Sequence, residues 1–218
     1  MTAPRPTGGS DGGGGLVDPT DQRANCGVGV VMDLDGGSSH DVVRDGLSLV
    51  ECMEHRGTTG AEKGTGDGAG IMLQLPHDFF ADEIDADLPE AGAYAVGTVF
   101  LPQDADARET LQGVVENRFA AEDLEVLAWR DAPTANEGLG ETALASEPAI
   151  QQVVVTSTTG AMGEAFDRQL YVGRRALETH VESAEPAGHE RFYVVSLDRK
   201  TLVYKGLLKA DQVADYFP

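Results

Sequence analysis

A chain of 218 residues, 41% of them apolar, is long enough to bury a core without disulfides or metals, and no stretch approaches the roughly 18 consecutive apolar residues of a membrane helix. Its 37 acidic against 16 basic residues, a formal net charge of -21, exclude nucleic acid as a natural partner. The acidic residues run along the whole chain as a self-repelling shell, which points to a salt-rich cytoplasm, with an acidic protein of ordinary salt as the alternative.

Residues 1–22 are rich in Gly, Pro, Ser and Thr and contain almost nothing to bury, so they read as a disordered leader or a removable segment. It has no basic start followed by an apolar run, hence no secretory signal, which fits a reducing, cytoplasmic setting. Residues 26–32, with Val28, Val30 and Val31, then read as a short strand closed by the turn-prone DLDGGSS.

From Ser38 the period changes to that of a helix. Ser38 or Ser39 can cap it, Asp41 lies in its first turn, and Val43, Leu47 and Val50 follow at helical spacing to about Glu54. Cys52 falls inside this pattern and reads as a small buried hydrophobe. Six glycines from residue 57 to residue 70 imply backbone held in special conformations before a strand at IMLQLP.

A short helix at HDFFADEI, a strand at AYAVGTVFL, a helix over 104–121 and a strand at LEVLAWR follow. DAPTANEGLGETALASEP reads as a loop, AIQQVVVTST as a strand and 163–183 as a long helix. RFYVVSL and TLVYKGLL read as a hairpin around DRK, and KADQVADYF as a closing helix. Some seven strands mixed with four or five helices favour an α+β fold over a parallel βαβ series.

Cys26 is the candidate nucleophile. If the chain were cut after Asn25, this residue would carry both a thiol and a free α-amine, whose reference pKa of about 7.7–8.0 makes it a competent base near neutral pH. Gly27 leaves room for an incoming substrate. The HRG at 55–57 has two readings: a polar helix end favoured by the dipole, or an Arg56 that returns to the first strand and favours the thiolate. TGDGAG lacks the Gly-Lys-Ser/Thr of a phosphate loop and precedes a strand, so it is not a nucleotide site. The histidines at 40, 55, 77, 180 and 189 have no metal-ligand spacing, and no metal site is expected.

The segment CGVGVVMDLDGGSSHDVVRDGLSLVECMEHRGTTGAEKGTGDGAGIMLQLPHDFF, residues 26–80, resembles the opening of the glutaminase domain, a type 2 glutamine amidotransferase, of glutamate synthase large subunits. The likeness continues in LAWRDAPTANEGLGETALASEPAIQQVVV, FDRQLYVGRRALE and FYVVSLDRKTLVYKGLLKADQVADYFP, and LVDPTDQRANC is similar to the family's segment before its cysteine. The resemblance implies an N-terminal nucleophile hydrolase, a four-layer αββα sandwich with two facing sheets, here incomplete: residues 1–25 as leader or propeptide and 26–218 as the N-terminal portion of the domain. It assigns Cys26 as nucleophile and Arg56 as the arginine beside it, and glutamine as substrate. It places FMN and an iron–sulfur cluster in other domains, with no cofactor in this chain and the remaining glutamate synthase domains or subunits as partners.

The family's oxyanion-hole motif and the arginine and aspartate that hold the substrate's α-groups fall after the DYFP point, and no Asn-Gly dipeptide occurs in this sequence. Since such donors contribute about 10²–10³ each in rate, activity is expected only when a downstream segment completes the site. The alternative expectation is a non-catalytic remnant or interaction module that keeps the fold.

Overall fold

The computed structural model describes residues 27–54, 62 and 64–218. Among these residues there are six α-helices and six strands: α1 (His40–Cys52), β1 (Ala69–Gln74), α2 (His77–Glu83), β2 (Tyr94–Leu101), α3 (Ala105–Ala120), β3 (Leu124–Asp131), α4 (Glu141–Ser146), β4 (Ala149–Ser157), α5 (Gly163–Ala184), β5 (Tyr193–Asp198), β6 (Thr201–Gly206) and α6 (Val213–Tyr216). The strands form two sheets, β3-β4-β2-β5 and β1-β6, with every pairing antiparallel. This is the expected α+β sandwich of facing sheets.

The larger sheet is the organising element. Strands β2 and β4 are buried on both faces and mostly apolar, because both faces are covered. On one side lie α3 and α5, whose apolar residues recur at helical spacing. Leu111, Val115 and Phe119 of α3 and Phe166, Leu170, Leu177 and Val181 of α5 are all buried against Val99, Val153 and Val155. Asp104 caps α3 by accepting the Ala107 amide at 2.9 Å. The other face turns Tyr94, Val96 and Val154 towards Leu202 of the smaller sheet and Phe80 and Ile84 at the end of α2.

A third cluster, Ala132, Ile150, Leu208, Val213 and Tyr216, ties the C-terminal segment to the edge of the sandwich. Leu47 and Val50 of α1 and Ile71 of β1 pack against it, yet α1 has no fully buried residue. The helix begins as expected, with the Ser39 hydroxyl accepting the Asp41 amide at 3.0 Å.

Three expectations are corrected. Residues 27–32 are irregular rather than a strand, with Val28 85% exposed, because no strand pairs with them and alternation alone supplies no ladder. The stretch expected as a loop before β4 contains α4. β5 and β6 are consecutive but not a hairpin: β5 pairs with β2 and β6 with β1, so the chain arches from one sheet to the other. Asp198 closes that arch by accepting the amides of Lys200 at 2.6 Å and Thr201 at 2.9 Å. The physical reason is burial, since Val194 fills the helix-facing core while Leu202 fills the inter-sheet core, and a local turn signal does not tell an arch from a hairpin.

Candidate functional site

Both sequence-derived site residues, Cys26 and Arg56, lie outside the described residues, as does the 1–25 leader. What the structure describes is their flanks. Gly27 opens the irregular segment after Cys26, α1 ends at Cys52 shortly before Arg56, and Glu62 and Gly64 onward follow it. Cys52, expected to be buried, is exposed, because it is the last residue of a helix that turns only a partly covered face inward.

The glycine-rich stretch is fastened to two remote segments. Glu62 accepts hydrogen bonds from the Thr65 hydroxyl and, at 2.7 Å, from the Thr142 amide at the start of α4. These donors, Thr65 first, hold its carboxyl below the usual carboxylate range. The Gly64 carbonyl accepts from the Gly140 amide at 2.9 Å and from Gln212 Nε2 at 3.0 Å, so both its lone pairs are used. Gln212 Nε2 also donates to the Gly138 carbonyl at 2.9 Å, while its Oε1 accepts the Lys209 amide at 2.8 Å. Residues 62–66, 138–142 and 209–212 are thereby joined through one half-buried amide and one carboxylate.

Two glycines are required by this geometry. Gly64 has φ +110, a conformation that L side chains rarely adopt, and a Cβ on Gly66 would collide with the Leu208 carbonyl. The sequence signal for special backbone was therefore sound, and it marks a point of close approach.

A second polar feature crosses the larger sheet. The strand registers align Arg130, Gln152, Thr98 and Ser196 in one row over β3, β4, β2 and β5, on the face towards the smaller sheet. Fully buried Gln152 accepts from Arg130 Nη1 at 3.0 Å and donates to the Tyr204 hydroxyl of β6 at 2.9 Å, joining the two sheets. Arg130 also binds Glu83 through Nε and Nη2 at 3.2 and 2.8 Å and lies over the Phe79 ring, 5.0 Å from its centre. Among the described residues, the buried hydroxyls of Thr98 and Ser196 have no hydrogen-bond partner.

A cavity of about 290 Å³ lies between α4 and the 190–193 turn, walled by Phe100, Leu139, Ile150, Tyr193, Leu208 and Tyr216. Of its two lining carboxylates, Glu147 and Glu190, the first is already engaged by the Tyr216 hydroxyl at 2.9 Å and Asn136 at 3.2 Å. Burial, and then this contact, push the Tyr216 phenol well above its ordinary pKa. The walls are suited to apolar groups more than to a polar amide substrate. Among the described residues, no group of three His, Cys, Asp or Glu side chains is placed to hold a metal ion, and no helix is long and apolar enough to cross a membrane.

Sequence reading missed Glu62, Gln212 and Gln152. Glu62 lies in the glycine-rich stretch, Gln212 in the closing helix and Gln152 in a strand, and only the glycines around the first gave a sign of close packing.

Comparison with known proteins closes the description. The family model for class-II glutamine amidotransferases matches residues 26–218. The chain is 41% identical over 215 residues to the glutamate synthase [NADH] of Schizosaccharomyces pombe, covering 93% of this chain and 10% of that protein. It is 35% identical over 200 residues to ferredoxin-dependent glutamate synthase 2 of Synechocystis, covering 90% and 12%. The glutamate synthase [NADPH] large chain of Azospirillum brasilense is 34% identical over 203 residues, covering 92% and 13%. The chain thus spans about a tenth of the length of the curated relatives it matches.

Proposed function

The chain belongs to the class-II glutamine amidotransferases, and from that premise we propose that it carries the glutaminase step of a glutamate synthase, releasing ammonia from glutamine for use by other parts of the same enzyme. The observation that carries this reading is where the family match begins: at residue 26, the cysteine that sequence chemistry singles out independently.

In this reading the leader is removed after Asn25 and Cys26 becomes the N-terminal residue. Its α-amine takes the thiol proton, and the thiolate attacks the side-chain amide carbon of glutamine. The amine returns that proton to the leaving nitrogen, the C–N bond breaks, and ammonia departs. Water then adds to the thioester, the C–S bond breaks, and glutamate leaves with the thiol restored. Arg56 stands beside the nucleophile and orients its terminus. A downstream segment supplies the oxyanion donors.

FMN and an iron–sulfur cluster belong to other domains in this proposal. No step here passes through either group. The acidic surface goes with a salt-rich cytoplasm, as an extension of the same proposal. The non-catalytic alternative is not favoured, given a family match over the whole of 26–218.

The test joins mass and activity in the full-length protein. Intact mass should show loss of residues 1–25, and Cys26→Ala should bring glutamine hydrolysis to background while leaving the thermal melt unchanged. A retained leader together with a Cys26→Ala enzyme that still hydrolyses glutamine at the wild-type rate would overturn the reading.

A further inference from the structure

Resting on the assignment of Cys26 and Arg56 above, we propose that Gln212, with Glu62 as its counterpart, is a positioning residue for glutamine hydrolysis: it anchors the chain just after the Arg56 segment to two parts of the fold that are remote in sequence. The observations are the contacts themselves. α1 ends at Cys52 on one side of the Arg56 segment, and on the other side Glu62 and Gly64 are fixed by hydrogen bonds to α4, to Gly140 and to Gln212. The described contacts of Glu62 and Gly64 are hydrogen bonds and close backbone approach.

The chemistry of the tether is specific to an amide. Gln212 spends its oxygen on the Lys209 amide and both N–H groups on the Gly64 and Gly138 carbonyls. Glutamate at this position would keep the acceptor and turn a carboxylate oxygen towards two carbonyl oxygens, converting two attractions into repulsions. Alanine would leave the carbonyls and the Lys209 amide without that partner. On the opposite side Glu62 needs to be an acceptor for both Thr65 and Thr142, which a carboxylate satisfies with one oxygen. Thr65 is itself buried, so its hydroxyl has no ready exchange with solvent.

A displacement of about 1 Å in a reacting or orienting group costs up to about a hundredfold in rate even when the substitution is remote. Loosening this tether is therefore expected to appear at the reaction centre and not only in stability.

The experiment uses the full-length protein and four variants: Gln212→Glu, Gln212→Ala, Thr65→Val and, as reference, Cys26→Ala. For each, kcat and KM for glutamine are measured with the melting temperature, and the rate of Cys26 alkylation by iodoacetamide is followed from pH 6 to 9 by peptide mass, with Cys52 as internal standard. The expected result for Gln212→Glu is a fall of at least about tenfold in kcat with a smaller change in KM. Its Cys26 alkylation profile should shift to higher pH, while Cys52 alkylates at the wild-type rate. Gln212→Ala should give an intermediate loss, and Thr65→Val, which removes one donor from Glu62 at nearly constant volume, about threefold.

A Gln212→Glu protein that melts earlier but keeps the wild-type kcat and Cys26 profile would make the residue merely structural and sink the proposal. If Gln212→Glu does not fold, Thr65→Val decides on the same two readouts. Activity surviving in Cys26→Ala would bring down the nucleophile assignment instead, which separates the two failures.

Discussion

The two sheets of this molecule are finished to different degrees. The four-stranded sheet has α3 and α5 on one face and the smaller sheet on the other, and its central strands β2 and β4 are buried almost throughout. The β1-β6 pair has only the other as a hydrogen-bonded neighbour among the described strands, Met72 on its outer face is 66% exposed, and α1 beside it has no fully buried residue. A two-stranded sheet is marginal by itself in water, and its free edges are a liability. The described chain therefore divides into a scaffold that burial stabilises and a thinner region that relies more on specific polar contacts.

The largest test of this division is a pair of truncations. Phe166→Ala, from the fully buried helix-facing core, should cost roughly 3–5 kcal/mol in urea unfolding, whereas Val50→Ala in α1 should cost about 1 kcal/mol or less. Equal losses would mean that α1 belongs to the same cooperative core and would remove the distinction.

The polar row between the sheets gives a test with opposite signs. Gln152→Ala leaves half-buried Arg130 and Tyr204 each short of a partner and should cost about 1–3 kcal/mol. Thr98→Val removes a buried hydroxyl that has no partner among the described residues, at almost constant volume, and should raise stability by up to about 1 kcal/mol. A destabilised Thr98→Val protein would show that the row is fully satisfied in solution and that the seam is stronger than the described contacts make it.

The smallest effect is expected where α5 meets the end of β5. Arg199 binds Asp167 through Nε at 2.6 Å and Nη2 at 3.0 Å, and this hydrogen bonding is the main cause that holds the Asp167 carboxyl below its usual range. A depressed carboxylate contributes stability above its unfolded pKa and loses it as the pH falls through the folded value. Asp167→Asn should therefore unfold slightly more easily than the parent at pH 7, with the difference closing under acid. Asp167 is partly exposed and solvent screens the pair, so the shift should be the least of the three, and a gap that widens in acid would contradict it.

The scaffold was largely legible in the sequence and the thinner region only in part. The helical period of Leu111, Val115 and Phe119, the Ser39 cap and the apolar runs of β2 and β4 are local signals, and each led to the observed element. Which sheet β6 joins depends on where Leu202 is buried, a decision made by residues far away in sequence, and so the arch read as a hairpin. The chemistry of Cys26 and Arg56 was read from residue type and resemblance. The contacts of Glu62 and Gln212 were invisible because they run largely to backbone carbonyls and amides, which leave no side-chain pattern.

The pairing of Ala69 with Gly206 and of Gln74 with Thr201 also sets an order of events. β1 emerges early in synthesis, yet its only described strand neighbour is β6, the last of the described strands, with the whole four-stranded sheet between them. Bringing such distant segments together carries a loop-closure cost that falls sharply once the intervening chain has become compact. The larger sheet should therefore form first and serve as the surface on which the smaller one is assembled.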